Sequence, residues 1–153
     1  MDTTTLNAYN RHSGTFAKDW HEQPEPTDLR AVIRQYFRPG LTADVGCGSG
    51  RDTAWLSENG YSVIGFDPAE GLLKEARQRH PGVRFQRGAL PDLDGAADGN
   101  FVNVLCETVI MHLEDVTAAT EFVIMAIEAG RKDKLKELDI SLKLSTPVLW
   151  ILP

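Results

Sequence analysis

The densest chemistry in the chain lies in Asp44-Val-Gly-Cys-Gly-Ser-Gly50. Three alternating glycines remove side chains where a backbone must pass close to a ligand, and they permit positive φ. An apolar run, Leu41–Val45, leads into the segment and a helix-forming run, Arg51–Asn59, leads out. A helix N-terminus behind such a loop offers free N–H donors and a positive dipole end, which suit a carboxylate or a phosphate equally. Spacing narrows the choice. A dinucleotide fingerprint counted from Gly46 needs a third glycine at position 51, where Arg51 stands, and no Gly-Lys-Ser/Thr follows to make a P-loop. What remains is acid-x-Gly-x-Gly-x-Gly, with Cys47 and Ser49 between the glycines. Asp67 closes the next apolar run, in Gly65-Phe-Asp-Pro68. A carboxylate there accepts two hydrogen bonds from a ribose diol, as in nicotinamide-binding domains. The same residue also suits a helix N-cap.

Asp44–Gly50 resembles motif I of class I S-adenosylmethionine (SAM)-dependent methyltransferases of the small-molecule type. The resemblance implies that Asp44 receives the cofactor's ammonium, directly or through water, over the backbone of Gly46, Cys47, Gly48 and Gly50. It places the ribose on Asp67 beside Pro68. Gly88–Leu93 resembles the family's adenine segment, where many members carry an acid. Ala89 stands there instead, so the base contact passes to the backbone N–H of Ala89 or Leu90 and to packing by Leu90. Asn100–Leu113 resembles motif IV and its trailing segment, which puts Cys106 and Glu107 beside the methionine part. Cys106 reads equally well as a small buried residue at a strand end.

The reaction so implied moves a methyl group from SAM to an acceptor and leaves S-adenosylhomocysteine (SAH). The cofactor carries the reactivity while the protein supplies alignment and proton management. His112 is the histidine placed nearest the strand ends; it is either a general base or a pocket-lining residue. Tyr9 and His12 are weaker candidates. No Asn-Pro-Pro-Tyr-like motif is present and the net charge is −6, which favour a small-molecule acceptor and argue against a nucleic-acid partner. Two other readings stay open: a SAM-binding module without its own catalysis, and an NAD(P)-binding domain, which Arg51 disfavours.

The elements that must position these residues alternate. A helix from Thr27 or Asp28 carries the stripe Leu29, Val32, Ile33 and Tyr36. Then follow strand Leu41–Val45, helix Arg51–Asn59 capped by Gly60, strand Tyr61–Phe66, helix Glu70–Arg79, strand Val83–Gln86, loop Pro91–Asn100, strand Phe101–Cys106 and helix Leu113–Ala129. This order predicts an α/β fold: a Rossmann-like, doubly wound, mostly parallel sheet with helices on both faces. Ligands of such sheets bind outside the carboxyl ends of the strands. Residues 1–26 form a helical arm or lid, with Tyr9, Phe16 and Trp20 on one side of a helix; residues 27–153 form the SAM-binding domain. Beyond it, Leu138–Leu144 alternates as a strand that pairs with Val148–Leu152, or Lys132–Leu144 is helical. Too few residues follow His112 for the family's seven strands, and its Pro-Gly-Gly turn is missing. The C-terminal strands are therefore read as reduced, with an open edge that predicts a homo-oligomer.

Composition agrees with one globular domain: 153 residues, 42% hydrophobic and 25% charged. The single dense basic run, Arg131–Lys136, reads as solvated surface. Two cysteines and four scattered histidines match no metal-ligand spacing. Free thiols, a polar N-terminus and short apolar runs point to the cytoplasm and away from a membrane.

Overall fold

The computed structural model describes residues 3–90, 93, 101–107, 109 and 150–152. Five strands form one sheet: β1 (Leu41–Val45), β2 (Ser62–Asp67), β3 (Arg84–Arg87), β4 (Asn103–Cys106) and β5 (Trp150–Leu152). Their order is β3-β2-β1-β4-β5. The first four run parallel, with Asp44 opposite Gly65 on one side and Leu105 on the other. β5 joins β4 antiparallel, pairing Cys106 with Trp150. The chain steps from β1 to β2 and β3, then returns to place β4 on the far side of β1. This reversal opens a crevice at the carboxyl ends of β1 and β4.

Strand alternation divides the core. Ala43, Val45, Ile64, Phe66, Val104 and Cys106 form one cluster, closed by Leu93. On the opposite face Val63 and Leu105 pack against α3 (Thr27–Tyr36) through Leu29 and Ile33, and against Leu56 of α4 (Arg51–Glu58). Leu73 and Ala76 of α5 (Glu70–Arg79) pack on Phe85 and Cys47. Buried Asn103 fastens β4 to the entry of β1. It donates to the Arg38 carbonyl at 2.9 Å and to Thr42 Oγ1 at 3.0 Å, and it accepts from Arg38 N at 3.0 Å.

Helix α4 ends as its sequence dictates. Gly60 has φ +88°, the Tyr61 N–H reaches the Leu56 carbonyl at 3.0 Å and the Gly60 N–H reaches that of Ser57 at 3.2 Å, a Schellman closure. Two local expectations need correction. The expected cap of α3, Thr27 or Asp28, lies inside the helix; Pro26 takes the cap position with no side-chain bond. The N-terminal arm is two helices, α1 (Thr3–Arg11) and α2 (Ser13–His21), broken at His12, whose φ of −114° and ψ of 24° leave the helical region. Ser13-Gly14 follows the break, and both are weak helix formers. Both helices pack on α5, and Tyr9 and Phe16 still meet, with ring centroids 4.8 Å apart. The expected helix Leu113–Ala129 and the alternatives for 132–144 lie outside the described residues; Val148–Leu152 contributes the strand Trp150–Leu152.

Candidate functional site

Asp44 is the last residue but one of β1, on the face that carries α4, and only 3% of its surface is exposed. Thr53 Oγ1, from the first turn of α4, donates to Asp44 Oδ2 at 2.5 Å. Gly65, opposite Asp44, makes this possible: a Cβ there would come within 2.9 Å of Thr53 Oγ1, Cys47 Sγ and Phe85 Cδ1. Burial pushes the Asp44 carboxyl up to about 7, and the charge of Asp52 adds to the rise.

Between Asp44 and α4 the loop turns back on the sheet. The N–H groups of Gly46 and Cys47 both donate to the Phe66 carbonyl, at 2.7 and 3.0 Å. Gly48, at φ +53°, donates to Asp67 Oδ2 at 2.9 Å. The other oxygen of Asp67 accepts from Ala69 N at 2.8 Å and so secures the start of α5. Burial raises the Asp67 carboxyl and these two N–H donors pull it back. A carboxylate has about four acceptor sites, so two remain for a ligand.

A cavity of about 330 Å³ opens over this loop. Its polar walls are Asp44, Asp52, Asp67 and Glu107, with Gly48 at the base and Tyr9, Phe16 and Trp20 of the arm above. The volume is at the lower end of small-ligand sites, and the mixture of aromatic wall and few convergent polar groups is typical of them. The arm is latched to the loop. Arg51 Nη1 donates to the Trp20 carbonyl at 3.0 Å while its guanidinium lies 4.7 Å from the Trp20 ring centroid. Asn10 Oδ1 accepts Gly71 N at 2.8 Å, a donor in the first turn of α5.

The family profile described as "methyltransferase domain" matches residues 43–123. The chain belongs to the methyltransferase-domain family. It is 36% identical over 75 residues to the trans-aconitate 2-methyltransferase of Deinococcus radiodurans, covering 46% of this chain and 28% of that protein. Among solved structures it resembles a TehB-like SAM-dependent methyltransferase from Corynebacterium glutamicum, with 25% identity, TM-score 0.64, and coverage of 76% of this chain and 67% of that one. A SAM-dependent methyltransferase from Mesorhizobium loti follows at 27% identity, TM-score 0.56, and coverage of 67% and 48%. The matched stretch is thus well under half the length of the curated relative.

Within this methyltransferase domain, nine of the eleven residues that the sequence assigns to the cofactor line this cavity: Asp44, Gly46, Cys47, Gly48, Asp67, Pro68, Ala89, Leu90 and Glu107. Gly50 and Cys106 stand behind the lining. Gly50, at φ +83°, packs where a Cβ would meet Phe85 Cζ at 2.6 Å. Cys106 is buried in the sheet core, and burial pushes its thiol up to about 12. His112 lies outside the described residues. Sequence reading passed over Asp52 and Arg30. Arg30 of α3 is buried and reaches Asp52 Oδ1 at 2.5 Å, with its guanidinium 4.2 Å from the Trp55 ring centroid. An acid in the first turn of a helix reads as an ordinary dipole partner. The one distinguishing signal was its position directly after Arg51, behind the loop. No group of His, Cys, Asp and Glu among the described residues is arranged to hold a metal, and no described helix is long and apolar enough to cross a membrane.

Proposed function

We propose that this chain binds SAM in the cavity over the glycine loop and transfers its methyl group to a small-molecule acceptor, releasing SAH. The observation that carries the reading is the convergence of two carboxylates on one backbone hairpin. Asp44 and Asp67 lie at the carboxyl ends of neighbouring parallel strands, and the glycine loop after Asp44 is bonded to Asp67 through Gly48. That spacing suits an amino acid joined to a nucleoside: the ammonium at Asp44, the diol at the two open acceptor sites of Asp67.

The residues present fit the cofactor. Gly48 has no atom within 4 Å of where a Cβ would stand, so a ligand can lie against the bare backbone. Ser49 Oγ, in the cavity wall and buried, has no hydrogen-bond partner among the described residues. Bound there, SAM supplies an electrophilic methyl on a sulfonium sulfur. The chain's own part is to hold the two ends of the cofactor, cover them with Tyr9, Phe16 and Trp20, and exclude water from the reacting centre. Family membership supports this reading, as does the SAM dependence named for the solved neighbours. A small acceptor agrees with the acidic charge and with the relative named for trans-aconitate. His112 remains the candidate base. Residues 1–26 act as the arm over residues 27–153, and two unbridged, buried cysteines support a cytoplasmic address.

Calorimetric titration with SAM, SAH and NAD tests the binding. Heat with both sulfur ligands and none with NAD is expected; binding of NAD alone overturns the reading. A screen of small acceptors for SAH release then tests catalysis. Binding without release across carboxylic acid, amine, phenol and thiol acceptors leaves the domain a SAM-binding module.

A further inference from the structure

The N-terminal arm meets the body of the domain through two histidines. His21, the last residue of α2, stacks on His80, the cap residue at the end of α5, with ring centroids 5.5 Å apart and planes inclined by 26°. His21 Nε2 also reaches the Ser49 carbonyl of the glycine loop at 3.5 Å, as a donor. His80 Nε2 is buried with no hydrogen-bond partner among the described residues. The charged groups facing the pair are Arg79 of α5, and Arg51, Asp52 and Glu58 of α4. Asp52 is already committed to Arg30, and Arg79 lies 3.6 Å from Glu75. Arg51 is held over Trp20, the residue before His21 and part of the cavity wall. The pair thus joins the arm, the glycine loop and α5 at one point.

We propose that the His21–His80 stack is a pH-sensitive latch: neutral, it holds α2 on α5; doubly protonated, it lets the arm go and takes Trp20 off the cavity. A single imidazolium is tolerable, because each ring stands at a helix C-terminus, where a cation is favoured. Two imidazoliums stacked at this separation, beside Arg51 and Arg79, repel one another in a partly desolvated place. The Ser49 bond survives protonation, since both ring nitrogens of an imidazolium donate, so the stack is the element that fails. Burial lowers both rings below the ordinary 6.5, and the charge of His21 lowers His80 further. The released arm therefore takes up protons more readily than the docked one. Docking is complete above pH 6.5 and weakens as pH falls below it. The latch is a property of the free chain, whatever ligand the cavity takes.

The test is amide hydrogen exchange of the full chain without cofactor at pH 7.5 and pH 5.5, each rate divided by the intrinsic rate at that pH. Protection across Ser13–His21 should fall by roughly threefold or more at pH 5.5, while β1 and β2 show no loss. His80→Phe keeps a ring in the stack and removes its charge, so the variant's arm should stay protected at both pH values. Unchanged protection of the wild-type arm overturns the proposal. A loss that persists in His80→Phe overturns it too, because the response then belongs to another group. Where the variant's melting curve shows a folding defect, NMR titration of the two wild-type imidazoles decides. Antagonistic titration with both midpoints under 6.5 is expected; two independent titrations at 6.5 overturn the latch. Because no cofactor is added, the outcome is separate from the SAM assignment.

Discussion

Asp67 Oδ2 accepts the backbone N–H of Gly48 at 2.9 Å, tying the tip of the glycine loop to the end of the neighbouring strand. The carboxylate therefore has two tasks. It shapes the loop, and it offers its remaining acceptor sites to a diol. Asp67→Ala should remove both, weakening SAM binding by about 1–3 kcal/mol, the scale of lost hydrogen bonds to a charged group. Stability should fall too, because Gly48 and Ala69 lose their acceptor. Titration calorimetry and a denaturant curve read the two effects separately. An unchanged SAM dissociation constant takes Asp67 out of the site.

Gly48 and Gly50 are two residues apart and both have positive φ, yet their substitutions should behave differently. At Gly50 an added Cβ meets Phe85 Cζ at 2.6 Å and Cε1 at 2.7 Å, inside the packing of α5 on β3. Gly50→Ala should destabilise the fold by about 2–3 kcal/mol, combining overpacking with left-handed strain. At Gly48 the same carbon meets nothing. Gly48→Ala should cost about 1 kcal/mol of stability from backbone strain alone, but it fills the space into which the cofactor must descend. A melting curve near wild type with SAM affinity reduced at least tenfold is expected. The reverse pattern, with Gly48→Ala unfolded and Gly50→Ala merely unable to bind, contradicts the division of labour.

Much of this arrangement was legible in the residues because it is local. Strand Leu41–Val45 and helix Glu70–Arg79 were read with the boundaries observed, since each is a periodic run closed by turn residues. Asp44 and Asp67 were legible because strand ends carry their meaning in sequence. Arg30 was not. It is a polar residue in an amphipathic helix, buried by a partner 22 positions away, and helix periodicity assigns it to solvent. The break at His12 was hidden for a related reason. Tyr9, Phe16 and Trp20 fit one helical face in sequence, and they share one cavity in space, but two short helices deliver them. The antiparallel pairing of β5 with β4 depends on a long connection that no local pattern specifies.

Arg30 suggests a stability test that is independent of any ligand. Its guanidinium is buried against Asp52, which is itself buried, and it lies 4.2 Å from the Trp55 ring centroid. Truncating one partner of a buried pair leaves the other charge uncompensated, and the cost is typically about 3–5 kcal/mol. Arg30→Ala should therefore be among the most destabilising single changes in the domain, as judged by urea denaturation. Arg30→Ala combined with Asp52→Asn should recover part of the loss, because the uncompensated charge is gone. A double variant as unstable as the single one shows that packing on Trp55, not the ion pair, is what Arg30 supplies.

The buried carboxyl of Asp44 makes stability itself depend on pH, in the direction opposite to an ordinary salt-bridged acid. Its folded pKa is raised, to about 7, so between pH 4 and 7 the native state holds a proton that the unfolded chain has lost. Stability from this group is complete below pH 4 and declines as pH climbs towards 7, by up to about 1.4 kcal/mol per unit, then levels off. Burial lowers His21 and His80 instead, and they contribute with the other sign near pH 6. The clean measurement is accordingly a difference. Wild type and Asp44→Asn share every histidine, so subtracting their unfolding free energies at each pH isolates the carboxyl. Asparagine keeps the acceptor for Thr53 and carries no charge at any pH. The wild type should lose ground to the variant steadily from pH 4 to 7. If the difference stays flat over that range, Asp44 is ionised in the folded protein throughout and the burial argument for it fails.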